Sequence, residues 1–92
     1  MSDFVWHEDP GHAWLRVPKA LVKALNIEHE ISSYSYEDDD NFYLEEDCDA
    51  AVFANAYKKM NGTVSPLSEA EVVFTDDDSF VRDLNRAGTH AQ

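Results

Sequence analysis

The sequence predicts a small α+β fold, an antiparallel sheet carrying two to three short helices on one face. Three observations lead there. Apolar residues alternate with polar ones over several short stretches, as half-buried strands require. Between them, residues 19–25 and 50–60 switch to helical spacing. Turn residues punctuate the segments in the order ββα-ββα-βα, which suits an antiparallel sheet covered on one side. The first two ββα units are faintly repeat-like, and no linker or low-complexity tract interrupts them. Residues 1–88 are therefore read as a single domain and 89–92 as a frayed tail.

Residues 3–9 form the first predicted strand, with Phe4 and Trp6 on one face and Val5 on the other. Pro10-Gly11 is a turn signal, and residues 13–17 alternate again, giving a hairpin. Pro18 is placed at the first helical position, where its missing N–H costs nothing. The helix over 19–25 then carries Leu21, Val22 and Leu25 and stops at Asn26. Residues 31–36 alternate serine with Ile31, Tyr34 and Tyr36 and read as a strand; the charged turn 37–41 leads into a second strand over 42–46. Asp47 is assigned as the cap of a helix with the stripe Ala50, Phe53, Ala54, Tyr57 and Met60, ended by Gly62. Residues 63–70 read as a loop around Pro66, 71–75 as a short strand, and Asp76-Asp77-Asp78 as the opening of a last helix carrying Phe80, Val81 and Leu84, closed by Gly88.

Composition narrows the function. The chain has 92 residues, 43% of them apolar and 12% aromatic, enough for one packed core. Nineteen acids against seven bases give a formal charge of −12. That balance excludes binding of phosphate backbones by counterion release and disfavours anionic membranes, so the expected partner is a basic protein surface. A lone cysteine, Cys48, allows neither an internal disulfide nor a cysteine-based zinc site. The start of the chain lacks the basic and apolar regions of a secretory signal, and no run approaches the length of a membrane span. The expectation is a cytoplasmic protein.

Two stretches carry a resemblance. Residues 7–18, His-Glu-Asp-Pro-Gly-His-Ala-Trp-Leu-Arg-Val-Pro, join a DPGH-type turn to a strand. Residues 31–36, Ile-Ser-Ser-Tyr-Ser-Tyr, run on to 43–49, Tyr-Leu-Glu-Glu-Asp-Cys-Asp, with Phe53 beyond. Together, over about residues 5–55, they resemble a family of small, largely uncharacterised proteins of bacterial phages, plasmids and genomic islands. The resemblance carries no catalytic assignment that transfers to this chain. It implies a mobile-element context, in which small acidic proteins often act against host defence, as anti-CRISPR or antirestriction factors do.

The candidate site is acidic. Residues 28–49 contain ten acids, among them Glu37, Asp38, Asp39, Asp40, Glu45, Glu46, Asp47 and Asp49, and no Lys or Arg. Side chains two apart on one strand face lie about 6.8 Å from each other. Phosphates along duplex DNA have spacings of that order, so a carboxylate row is expected to imitate them. Exposed tyrosines at 34, 36 and 43 would supply binding hot spots. The ordinary reading of the same acids is a solvated face that confers solubility. The functional expectation is an inhibitor that blocks the nucleic-acid groove of a host defence complex; the alternative is a small acidic adaptor that binds a basic host protein without mimicry.

Other groupings have plain readings beside the chemical ones. His7 and His12 flank the Asp9-Pro10-Gly11 turn and suggest an acid–base pair or metal ligands, or simply histidines at a hairpin end. Cys48 sits among Glu46, Asp47 and Asp49, which disfavour a thiolate nucleophile. The aspartate triplets lack the alternating ligands, central glycine and distal glutamate of a calcium loop. Trp6 and Trp14 are expected in the core. Arg16, Lys19 and Lys23 lie in an acid-free stretch and predict a local positive face, suited to a second copy or a partner subunit. No enzyme, metal or cofactor is expected.

Overall fold

A computed structural model describes residues 4–63 and 65–87. Strands β1 (Val5–Glu8), β2 (Ala13–Pro18), β3 (Tyr36–Glu37), β4 (Asn41–Glu45), β5 (Glu71–Phe74) and β6 (Asn85–Arg86) form one sheet in the order β5-β1-β2-β4-β3-β6. The helices are α1 (Lys19–Ala24), α2 (Asp49–Asn61) and the short α3 (Ser65–Ser68), with single 3₁₀ turns at Glu28–Glu30 and Phe80–Asp83. This is the expected α+β fold.

The β1–β2 hairpin pairs Val5 with Arg16 through Glu8 with Ala13. Strands β2 and β4 pair from Trp14–Glu45 to Pro18–Asn41. Four of the sheet's five pairings are antiparallel, and the exception is β1 with β5, which run parallel. The chain reaches β5 only after α2 and α3, and a crossover of that length delivers a strand in either direction.

Two cores result. On one face, Phe4, Leu15, Val17, Phe42 and Leu44 pack against Val22 of α1, Ala50 and Phe53 of α2 and Leu67 of α3. Phe4 meets Phe53 edge-on at 5.8 Å, and Tyr57 at 5.6 Å. On the other face, Trp14, Tyr36 and Tyr43 enclose Val81, with Leu84 against them. The three α-helices share the first face, and the C-terminal segment covers part of the second.

Several local expectations are corrected. Pro18 is the last residue of β2 and the N-cap of α1, extended at ψ 136°, one position before the one assigned to it. Asn26 does end that helix, at φ 59°, a left-handed backbone that asparagine tolerates. Residues 31–36 do not make a strand: Ile31 is buried, 32–35 turn, and only Tyr36 and Glu37 pair. The serines explain it. Ser32 Oγ and Ser35 Oγ both donate to Asp49 Oδ2, and the Ser35 amide donates to the Ser32 carbonyl, so side chains compete with the ladder.

Asp47 is not the cap of α2. Cys48 holds that position without a side-chain bond, and Glu45 accepts from the amides of Asp47 and Cys48, both at 3.0 Å. Met60, assigned to the apolar stripe, is 67% exposed. Gly62 ends α2 as expected, at φ 80° with its amide 2.7 Å from the Lys58 carbonyl. Within 63–70, α3 replaces a plain loop. The last helical turn begins after the aspartates, where Ser79 Oγ accepts from Val81 N, and the chain then adds β6 beside β3. Gly88, the tail 89–92 and Asp3 lie outside the described residues. Among the described residues no helix is long and apolar enough to cross a membrane.

Candidate docking surface

The acids of 28–49 do not form a row, because many of them hold the fold together. Glu37 pairs with Lys19 at 2.6 Å. Asp38 closes its own turn, accepting from the amides of Asp40 and Asn41 at 3.0 and 2.8 Å and from the Tyr43 hydroxyl at 2.7 Å. Burial works to raise the Asp38 pKa, yet the three donors together hold it below the ordinary carboxylate value. The same burial, with the Asp38 carboxylate beside it, pushes Tyr43 up to about 12. Glu45 is spent on the start of α2. Asp49 is 2% exposed and accepts from Ser32 N, Ser32 Oγ and Ser35 Oγ, so it is a buried anchor and no contact residue.

Of the tyrosines, 36 and 43 are buried and Tyr34 alone stands out, at 65% exposure. The exposed acids that remain are Glu30 beside His29, Asp39 and Asp40 at one end of β4, and Glu46 and Asp47 beyond the other. The five residues of β4 separate the pairs, so Asp40 and Glu46 lie six steps apart, about 20 Å at about 3.4 Å per step. A continuous phosphate-like ladder along this segment is excluded.

The sheet topology gathers a different set. Strands β1, β4 and β5 all run in one direction, so their C-terminal ends lie at the same end of the sheet, β4 with β2 between it and β1. Glu8 ends β1, Glu46 and Asp47 follow β4, and Asp76, Asp77 and Asp78 follow β5. The Glu46 amide donates to the Ala13 carbonyl and the Thr75 amide to the Glu8 carbonyl, which fixes both segments beside the β1–β2 turn. Glu46, Asp47 and the aspartate triplet are exposed; Glu8 is half-buried. The triplet lacks the ligand pattern of a calcium loop, and the parallel β1–β5 pairing sets it at the same end of the sheet as Glu46, about 14 Å across the two intervening strands at about 4.8 Å per strand. Among the described residues no three His, Cys, Asp or Glu side chains converge as a metal site.

One base at this end, Arg82, is committed mainly to Asp9. Arg82 donates from Nε to Asp9 Oδ2 at 2.7 Å and from Nη2 to Asp9 Oδ1 at 3.0 Å, a bidentate pair. Asp9 also accepts from the amides of Gly11, His12 and Ser79. The Arg82 guanidinium first, then those amides, outweigh burial and hold the Asp9 carboxyl far below the ordinary range. Asp78 lies 3.7 Å from Arg82 Nε and is the exposed member of the set.

The histidines do not make a pair. His7 packs against Phe80 at 5.1 Å and Tyr43 at 5.8 Å, with Nε2 lacking a partner, and burial followed by the Arg16 charge lowers its pKa. His12 is exposed and lies 5.9 Å from Trp14. It borders an open groove of about 450 Å³ that also holds Tyr34, Tyr36, Glu45, Asp47 and Cys48. Two arginines absent from the predicted site line this groove, Arg82 at 5.3 Å over Trp14 and Arg86 at 4.7 Å over Tyr36. Desolvation, then Glu45, Asp49 and Asp47, push the Cys48 thiol up, away from nucleophilic character.

The expected positive face is dispersed. Lys19 is held by Glu37 and lies 5.3 Å over the Phe42 ring, and Arg16 points to the sheet face opposite α1, leaving Lys23 exposed on the helix. Trp14 is a core residue as expected, whereas Trp6 is half-buried.

Against known proteins, the chain matches no family model, no curated protein and no solved structure.

Proposed function

We propose that the protein is an acidic docking inhibitor. It sets the carboxylate-rich end of its sheet against a cationic protein surface and blocks access to it. In the finer form of this reading, the chain comes from a mobile element and acts in the cytoplasm of a bacterial host. The target surface is then the nucleic-acid groove of a CRISPR or restriction complex. One observation carries the reading: Glu46, Asp47, Asp76, Asp77 and Asp78 are exposed at one end of the sheet, and Arg82, 3.7 Å from Asp78, is held bidentately by Asp9. Like charges held together repel, and a cationic partner relieves that repulsion while steering its own approach. In this reading the phosphate imitation is a set of carboxylates at one end of the sheet, supplied by the two segments that follow β4 and β5.

The test is phage plating on bacteria carrying CRISPR or restriction systems, with this chain supplied in trans. Wild type is expected to restore plating against one such system. Glu46→Gln, Asp47→Asn and the three Asp→Asn changes at 76–78, combined, are expected to abolish protection while melting no lower than wild type. Asp39→Asn with Asp40→Asn, at the far end of β4, is the control and retains protection. Protection by the five-fold variant equal to wild type would sink the acidic reading, and absence of protection against every system would sink the inhibitor.

A further inference from the structure

The outer edge of β5 is the least explained part of the surface. Among the described residues, β5 ends the sheet and no strand lies beyond it. The Thr75 amide donates inward to Glu8, so strand alternation turns the amides of Val72 and Phe74 outward. Protein edges are ordinarily blunted by shortness, charge, proline or a bulge. β5, four residues reading Glu-Val-Val-Phe, is short and charged only at its first position, and it has no lysine, proline or bulge over its apolar part. Its apolar side chains are open on both faces: Val72 is 54% exposed, Val73 37% and Phe74 57%, and Phe80, beside His7, is 51% exposed. An open groove of about 340 Å³ runs from Val72 past Trp6 to Glu8 and Glu46, so the apolar edge is continuous with the acidic end.

The flanks say what fits there. Glu69 and Glu71 precede the apolar residues and Asp76, Asp77 and Asp78 follow them, all exposed. A second copy adding its own β5 would set acid against acid in either orientation, which opposes pairing. The complement is a strand that is apolar at its centre and basic at its ends.

We propose that β5 is a docking edge that takes up, by strand addition, an extended segment of a basic partner, apolar at alternate positions and flanked by Lys or Arg. Backbone hydrogen bonds to the Val72 and Phe74 amides set its register, the valines and Phe74 supply apolar contact, and the flanking carboxylates select for cations. The inference rests on the acidic docking reading and adds the edge that would orient the partner.

The test uses two synthetic peptides, each with a Val-Thr-Val-Thr-Val core, one flanked by lysine pairs and one by serine pairs. Amide exchange is followed by NMR on the full chain. The lysine peptide is expected to slow exchange at Val72 and Phe74 by about tenfold or more, as new backbone bonds do. The serine peptide is expected to bind about tenfold more weakly at low salt. Val72→Pro removes an outward donor at a place where an edge strand accepts proline, and is expected to abolish the slowing. Should it fail to fold, Phe74→Lys sets a like charge against the lysine peptide and is expected to do the same.

Binding of the lysine peptide without slowed exchange at Val72 and Phe74 overturns strand addition and leaves the acidic reading standing. Equal binding of the two peptides overturns the selection for cations. Slowing that appears on concentrating the protein alone makes the occupant a second copy and overturns the proposal. Binding of neither peptide overturns it as well, and the acidic reading is then judged by phage plating.

Discussion

Asp9→Asn is expected to loosen the tie between the β1–β2 turn and the C-terminal segment. The Asp9 side chain has no exposed surface and accepts from the amides of Gly11, His12 and Ser79 and from Arg82 twice. Asparagine keeps the shape and one acceptor oxygen, but turns an NH2 group toward donors that then have nothing to donate to. Removing one partner of a buried ion pair costs about 3–5 kcal/mol. Water reaches the arginine, which is 32% exposed, so the lower part of that range applies to the aspartate. On a domain whose total stability is about 5–15 kcal/mol, that is a large fraction. The pH dependence has a definite sign. A carboxyl whose folded pKa is depressed stabilises the native state above its unfolded pKa, about 3.9, and loses that contribution as pH falls toward the folded value. Wild type should therefore exceed the variant most at neutral pH, and the gap should narrow below about pH 4. Denaturant unfolding followed by the fluorescence of Trp14, which is 2% exposed, measures both. Equal midpoints at neutral pH, or a gap that persists unchanged into acid, would refute the clamp.

Two further substitutions test the packing around α2. Phe53→Ala, at a fully buried site, is expected to cost about 3–5 kcal/mol, whereas Met60→Ala on the exposed side should stay within about 0.5 kcal/mol; comparable losses would mean that the helix phase is wrong. Asp49→Ala is expected to cost about 1–3 kcal/mol by stranding the buried Ser35 hydroxyl, with exchange at the Ser32 amide quickening; an unchanged Ser32 amide would remove Asp49 from its anchoring role.

What the sequence alone determined is what depends on neighbours along the chain. The helical spacing of Ala50 and Phe53, the stops at Gly62 and Asn26 and the Pro10-Gly11 turn are local consequences of side-chain size, periodicity and backbone freedom, and each is found where its residues predict it. The total charge is likewise a property of composition, and it restricts the chemistry of any partner before a fold is known.

Tertiary structure decided which acids are available. Asp49 and Asp39 are the same residue type in the same acidic stretch, yet Asp49 is buried among serine donors and Asp39 faces water. Nothing in local pattern separates them, because a carboxylate's role depends on donors brought to it from elsewhere. Asp9 shows this at the greatest separation, since its strongest partner, Arg82, lies 73 residues away along the chain. Strand partners obey the same limit. Alternation marks Val72 and Val73 as extended chain, but only the crossover through α2 and α3 sets β5 parallel to β1. That pairing places the Asp76–Asp78 triplet at the same end of the sheet as Glu46, with β1 and β2 between them, and leaves an apolar edge open. Long-range pairing is settled by the packing of the whole core, and the candidate surface is built almost entirely from such pairings.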